Sequence, residues 1–226
     1  MRAVRKYYPI LFILITSVFS SCINMDQKTV LNPDGSGTMQ IHYWTHNSNI
    51  TAEEVVGFGF TDYMVKKNYT SENSEPTDIV LSGDDADTST HVRLNLKFRD
   101  IERLPAAKSF SKIRAVWDLD EKDGTYLFTY TLLQDSINAL SPGMNEFKLV
   151  HEFTLPGEII ETNGHQNGNT VRWENSIADL VNPVFLVARV NISDTTSITT
   201  KSCGLFGIEL PLLMGITLIF LFRKKT

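Results

Sequence analysis

Arg93, Lys97 and Arg99 sit in a run where Val92, Leu94, Leu96 and Phe98 occupy the alternate positions. On an extended strand that spacing puts the three cations on one face and the four apolar residues on the other. Two guanidinium forks with an ammonium between them could clamp a phosphate or another anionic headgroup. They are the candidate ligand-binding residues, weighed against the plainer reading of a solvated strand face. A second chemistry stands near the start of the chain, where Phe19-Ser20-Ser21 runs into Cys22. A thiol directly after two small residues fits a signal whose cysteine is acylated and becomes the mature N-terminus. Cys22 is therefore the candidate lipidation residue.

Other patterns offer less. His42 and His46 are four apart, a spacing that on a helix would turn both toward one metal. Ile41-His42-Tyr43-Trp44 reads as strand, however, with no HExxH and no third ligand. Asn32, Asp34, Ser36, Gly37 and Thr38 fill slots of a calcium loop, yet the closing position that needs a bidentate Glu is Tyr43. Asp84, Asp85 and Asp87 read as a solvated acidic loop that could at most hold calcium weakly. No metal and no cofactor is expected. The chain has no G-x-S-x-G elbow, no P-loop and no dinucleotide fingerprint, and no cysteine falls between Cys22 and Cys203. None of its carboxylates sits in an apolar motif that would poise a pKa, so no catalytic residue is assigned and no enzyme is expected.

The elements that must hold these residues begin and end in membrane signals. Arg2, Arg5 and Lys6 precede an apolar stretch from Tyr8 to Phe19. That stretch is too short for a bilayer, which needs about 20 residues, and residues 1–21 read as a lipoprotein signal peptide. Gly204 to Phe222 is mostly Leu, Ile, Phe and Gly, with Arg223-Lys224-Lys225 directly behind it. At about 1.5 Å per residue it reaches roughly 28 Å, a transmembrane helix with a basic cytoplasmic tail at 223–226. Glu209 and Pro211 interrupt its outer third, which keeps open the alternative of a sorting tail cut near Cys203. The domain between would lie on the extracytoplasmic side of the cell membrane, over residues 22–190, with a Ser/Thr-rich linker at 191–203.

Between Ile23 and Lys201 there are 15 Lys and Arg against 25 Asp and Glu, a net charge of −10. So acidic a domain is poorly suited to nucleic acid. Without a disulfide framework, its core must hold it together unaided.

Alternation of apolar and polar residues between turn formers predicts an α+β domain, mainly antiparallel sheet with one principal helix. Lys28 to Asn32 and Thr38 to His46 flank a turn at Asn32-Pro33-Asp34-Gly35-Ser36-Gly37. Ile113 to Leu119 and Tyr126 to Leu132 form a hairpin around Asp123-Gly124. Phe147, Leu149, His151, Phe153 and Leu155 alternate. Ile159-Ile160 and Thr170 to Glu174 bracket a polar connector. Val184 to Val190 reads as a strand buried on both faces. Thr51-Ala52-Glu53-Glu54 reads as a capping box opening the helix, with Ala52, Val56, Phe60, Tyr63 and Met64 at helical spacing. Gly57 and Gly59 weaken it by about 1 kcal/mol each, and Val55, Phe58 and Val65 give it more apolar surface than one packing side needs. Short turns are expected over Asp100 to Phe110 and from Ser176 to before Pro183. Glu72 to Glu75 and Gly83 to Thr90 read as polar loops.

The order of these features carries a resemblance. The signal ending at Cys22 precedes Val30-Leu31-Asn32-Pro33-Asp34-Gly35-Ser36-Gly37 and Phe98-Arg99-Asp100-Ile101-Glu102-Arg103-Leu104-Pro105. Phe153-Thr154-Leu155-Pro156-Gly157-Glu158, Thr162-Asn163-Gly164 and Val171-Arg172-Trp173 follow, and then the terminal apolar segment. This resembles the LppM family of bacterial envelope lipoproteins. The resemblance implies an α/β domain with a lipid-handling character and brings no catalytic residues with it. The expectation is a non-catalytic binder of an envelope lipid or glycolipid. The basic stripe would meet the headgroup, and a cleft between the first helix and the sheet would take part of an acyl chain. The competing expectation is a partner-binding subunit or assembly factor of a membrane complex.

Overall fold

The computed structural model describes residues 23–192 apart from 56, 85, 87 and 135–145. The signal peptide, Cys22, most of the linker, the 204–222 segment and the basic tail all lie outside the described residues. Among the described residues no helix is long and apolar enough to cross a membrane.

In chain order the strands are β1 Asn24–Leu31, β2 Gly37–His46, β3 Glu54–Val55 and β4 Phe58–Gly59, then the helix α1 Asp62–Tyr69. There follow β5 Ser74–Asp84, β6 Ser89–Phe98, β7 Ile113–Asp120, β8 Thr125–Leu132, β9 Lys148–Thr154, β10 Glu158–Thr162, β11 His165–Asn167, β12 Thr170–Ser176 and β13 Val184–Asn191. One large sheet runs β11-β12-β9-β1-β2-β6-β5, and a smaller one runs β10-β13-β8-β7. Neighbours are antiparallel except β1 and β9, which pair in parallel from Met25 opposite Leu149 to Val30 opposite Thr154. The architecture is mostly sheet with one principal helix, as the alternation predicts.

The β1–β2 hairpin closes where the turn residues demand it. The Ser36 backbone N–H and hydroxyl both donate to the Asp34 carboxylate, at 3.0 and 2.7 Å. The Asp123-Gly124 hairpin is present, with 3₁₀ turns at Ile101–Ala106, Lys108–Phe110 and Ile177–Val181 as expected. The inner faces of the two sheets share an aromatic layer. Phe128 of β8 meets Phe153 of β9 with ring centroids 4.8 Å apart. Trp173 of β12 stands 6.1 Å from Phe153 and 6.3 Å from Phe128. Trp173 is 5% exposed, a core residue as the sequence implies, and its indole N–H donates to Asn163 at 2.7 Å.

Three expectations are corrected. The capping box does not open the helix. Ala52 and Glu53 take left-handed backbone angles, φ 52° and 65°, and Thr51 and Glu54 exchange backbone hydrogen bonds across a tight turn. The Glu54 carboxylate serves Lys108 at 2.6 Å and Asn68 at 3.0 Å instead of a helix end. The helix begins one short hairpin later, where the Met64 N–H donates to the Thr61 hydroxyl at 3.3 Å. Gly59 lets that hairpin pack against the first turn of the helix: a Cβ there would stand 2.5 Å from the Met64 carbonyl carbon. The aromatic contacts of Phe58 and Phe60 with Tyr43, at 5.1 and 5.4 Å, outweigh the local capping preference.

The second correction is β13. It is fully buried on one face only, with Phe185 56% exposed and Val187 and Arg189 half-buried on the other. The third is β5, where loops were expected at both ends. Ser74–Asp84 forms an edge strand whose second half is largely exposed and whose register shifts near Asp78. An edge strand has no second neighbour and here little burial, so it leaves little hydrophobic period to read.

Candidate functional site: a cleft between the sheets

Two adjacent strands and one that faces them carry matched rows of inward residues. On β1 they are Thr29, Gln27 and Met25, and in register on β9 they are Phe153, His151 and Leu149. β8 of the facing sheet brings Phe128, Tyr130 and Leu132. The Phe153 row is filled by the aromatic layer. The His151 row is closed partly by Tyr130, 5.6 Å from the imidazole. In the last row only aliphatic side chains meet, and a cleft opens beside Met25, Leu149, Leu132 and Ile113. Tyr69 of α1 and Phe110, Ile177 and Leu180 of the 3₁₀ turns complete an essentially apolar wall.

The open volume is about 100 Å³. That is smaller than the roughly 150 Å³ that accepts a benzene ring, and below the 300 Å³ or so of a drug-sized site. It suits a few methylenes of an apolar chain, with the rest of the molecule outside. Ile23, the first described residue, also lines the cleft. Cys22, the candidate lipidation residue, directly precedes it in the sequence.

Polar groups interrupt this wall, Lys112 among them. Gln27 donates to the Thr29 hydroxyl at 3.1 Å. His151 is 1% exposed, and burial pushes its pKa down to about 4, so the ring is neutral at pH 7. Its Nδ1 has no hydrogen-bond partner among the described residues. The Tyr69 hydroxyl is likewise buried, with the Ser109 hydroxyl beside it but no partner in bonding geometry, and burial raises the phenol well above its usual range against the opposing pull of Ser109. Ser109 lies on the same wall, but its hydroxyl donates to the Gly57 carbonyl at 2.8 Å. An unpaired buried polar atom ordinarily costs about 1–3 kcal/mol, so two on one cleft wall call for an explanation.

The predicted stripe lies elsewhere. Arg93 and Lys97 are exposed on the outer face of the large sheet, opposite His42 and Thr38 of β2. Their strand neighbours Val92, Leu94, Leu96 and Phe98 are buried on the inner face. Arg93 opens on a shallow trough shared with Asp26, Lys28, Asp78 and Asn95. Lys97 and Arg99 line another, with Lys66, Glu72 and Glu75. Arg99 lies past the end of β6, its N–H donating to Asn73 at 3.0 Å. Acids interrupt the stripe on both sides, and none of the three cations reaches the cleft.

The histidines also separate. His42 Nε2 meets His91 Nδ1 at 3.1 Å with Trp44 stacked beside the pair, whereas His46 bonds Ser48 at 2.7 Å. Burial, then Arg93 and His91, lower the His42 pKa against the opposing pull of Asp26. Among the described residues no group of three or more metal-capable side chains exists. Asp85 and Asp87 lie outside those residues.

Gln27, Tyr69, Tyr130 and His151 were not singled out as site residues from the sequence. The readable signal was His151 itself, an imidazole in the inward series Leu149, His151, Phe153.

No family model and no curated protein matches the chain. Among solved structures it is similar to the folded domain of LppM from Mycobacterium tuberculosis, determined by NMR. The two share 11% identity over 78% of this chain and 93% of that one, with a TM-score of 0.47. The likeness does not place the chain in a family.

Proposed function

We propose that this chain is an extracytoplasmic, membrane-anchored lipoprotein. In this reading its domain binds an envelope lipid or glycolipid without catalysis, drawing part of an apolar chain into the cleft between the sheets. One observation carries the reading: the apolar cleft is walled by Ile23, the residue next to Cys22. Acylation at Cys22 would hold that end of the domain against the bilayer, and the tether raises the effective concentration of membrane ligands. A small cleft then suffices, because the lipid need not be extracted whole.

The test is native mass spectrometry of the full chain purified from its own membrane, beside a variant with the cleft filled by Leu149→Trp. Wild type is expected to retain lipid in fixed stoichiometry and the filled variant to lose it. Equal retention by both, or none by either, would sink the proposal.

A partner-binding role is the second reading, favoured by the exposed Phe185 on the outer face of the smaller sheet. Stoichiometric co-purification of a membrane protein, abolished by Phe185→Ser, would establish it.

A further inference from the structure

We infer that the cleft distinguishes among apolar chains and prefers one that bears a hydroxyl group, an inference that rests on the lipid reading above. His151 Nδ1 and the Tyr69 hydroxyl belong to different elements, β9 and α1, yet both residues line the same cleft. Every other large side chain on that wall is aliphatic or aromatic apart from Gln27, Tyr130 and Lys112. A plain hydrocarbon chain packed over these atoms would leave both of them buried and unpaired. A carboxylate would gain no charge from the neutral imidazole, whatever it draws from Lys112 elsewhere on the wall.

A hydroxyl matches on both counts. It donates and accepts through one atom, so it satisfies His151 Nδ1 in whichever tautomer the ring holds, and it can accept from Tyr69. An ester carbonyl only accepts and serves one tautomer of the two. The hydroxyl also adds almost no bulk, which matters in a space of about 100 Å³. Recognition of this kind discriminates strongly, since the analogue lacking the hydroxyl leaves the protein groups unpaired.

The experiment uses the full chain in phosphatidylcholine nanodiscs, titrated with tetradecanoic acid and with tetradecanoic acids hydroxylated near the carboxyl end or at the far end. At least one hydroxylated acid should bind about tenfold or more tighter than the plain one. Its binding should move the imidazole nitrogen shifts of His151. Tyr69→Phe and His151→Leu should each collapse the preference, with thermal melting showing that the variants remain folded. Tyr69→Phe keeps the ring and so preserves the test if His151→Leu does not fold. Equal affinities for all three acids, as expected if a water serves these atoms, overturn the inference and leave the lipid reading intact. A preference that survives in both folded variants also overturns it. Binding of none of the acids takes both readings down together.

Discussion

Around Phe153 the space between the sheets is filled by rings from three strands, and polar atoms there are paired, as Trp173 is with Asn163. Further along the same strand, from His151 to Leu149, the rings give way to aliphatic side chains, a cleft opens, and buried polar atoms lack partners. The backbone register is continuous through both regions, so strand geometry does not make the difference. Side-chain volume does: aromatic residues fill the layer and Met25, Leu149 and Leu132 do not. One end of the layer holds the domain together, and the other is free to do something else.

The largest effect should come from emptying the filled end. Trp173→Ala removes a nearly buried indole packed against Phe128 and Phe153 and is expected to cost about 3–5 kcal/mol. Gly164 cannot absorb the loss by moving in, since it is held where a Cβ would already stand 2.5 Å from Val171. Chemical denaturation of the two proteins measures the difference, and an unchanged midpoint would mean that the filled end is not what stabilises the domain.

Next comes the open end, through pH. The buried imidazole of His151 titrates near 4, against about 6.5 in the unfolded chain. The unfolded state therefore binds the proton first. Stability from this group is intact above pH 6.5, falls as pH drops toward 4, and levels off below that. The span corresponds to about 3 kcal/mol. His151→Leu should remove this slope and leave the contribution of the carboxylates, so the wild-type and variant melting curves converge differently with acid. Parallel curves for the two proteins would show that the imidazole is not buried neutral.

These contrasts explain what the sequence could and could not tell. Hairpins were legible where turn chemistry and alternation agree, as at Asn32 to Gly37 and Asp120 to Gly124. The helix was placed too early because Thr51 to Glu54 satisfies a local rule that Tyr43 overrides from another strand by binding Gly59 and packing on Phe58 and Phe60. β5 escaped notice because an exposed edge carries little apolar period. The cleft was illegible for a deeper reason. A missing ring is a property of three strands facing one another, and Met25, Leu149 and Leu132 each look like ordinary core residues alone. Only His151 broke its row. The basic stripe was correctly alternating, but alternation fixes a face and not what lies behind it.

The smallest effect is expected on that outer face. Reversing Arg93 and Arg99 to Glu should change stability by no more than about 0.5 kcal/mol, because both are exposed. It should also leave lipid in the cleft, since the buried residues of β6 stand between Arg93 and the inner face. The local electrostatics must still respond. Arg93 helps to lower the His42 pKa, so Arg93→Glu should move the His42 titration upward, a shift readable by NMR across pH 5 to 8. That internal control separates a variant that is silent because the site is elsewhere from one in which the charge never mattered. If lipid retention fell while His42 shifted as expected, the outer stripe would be a headgroup site after all, and the two faces of the large sheet would hold one ligand between them.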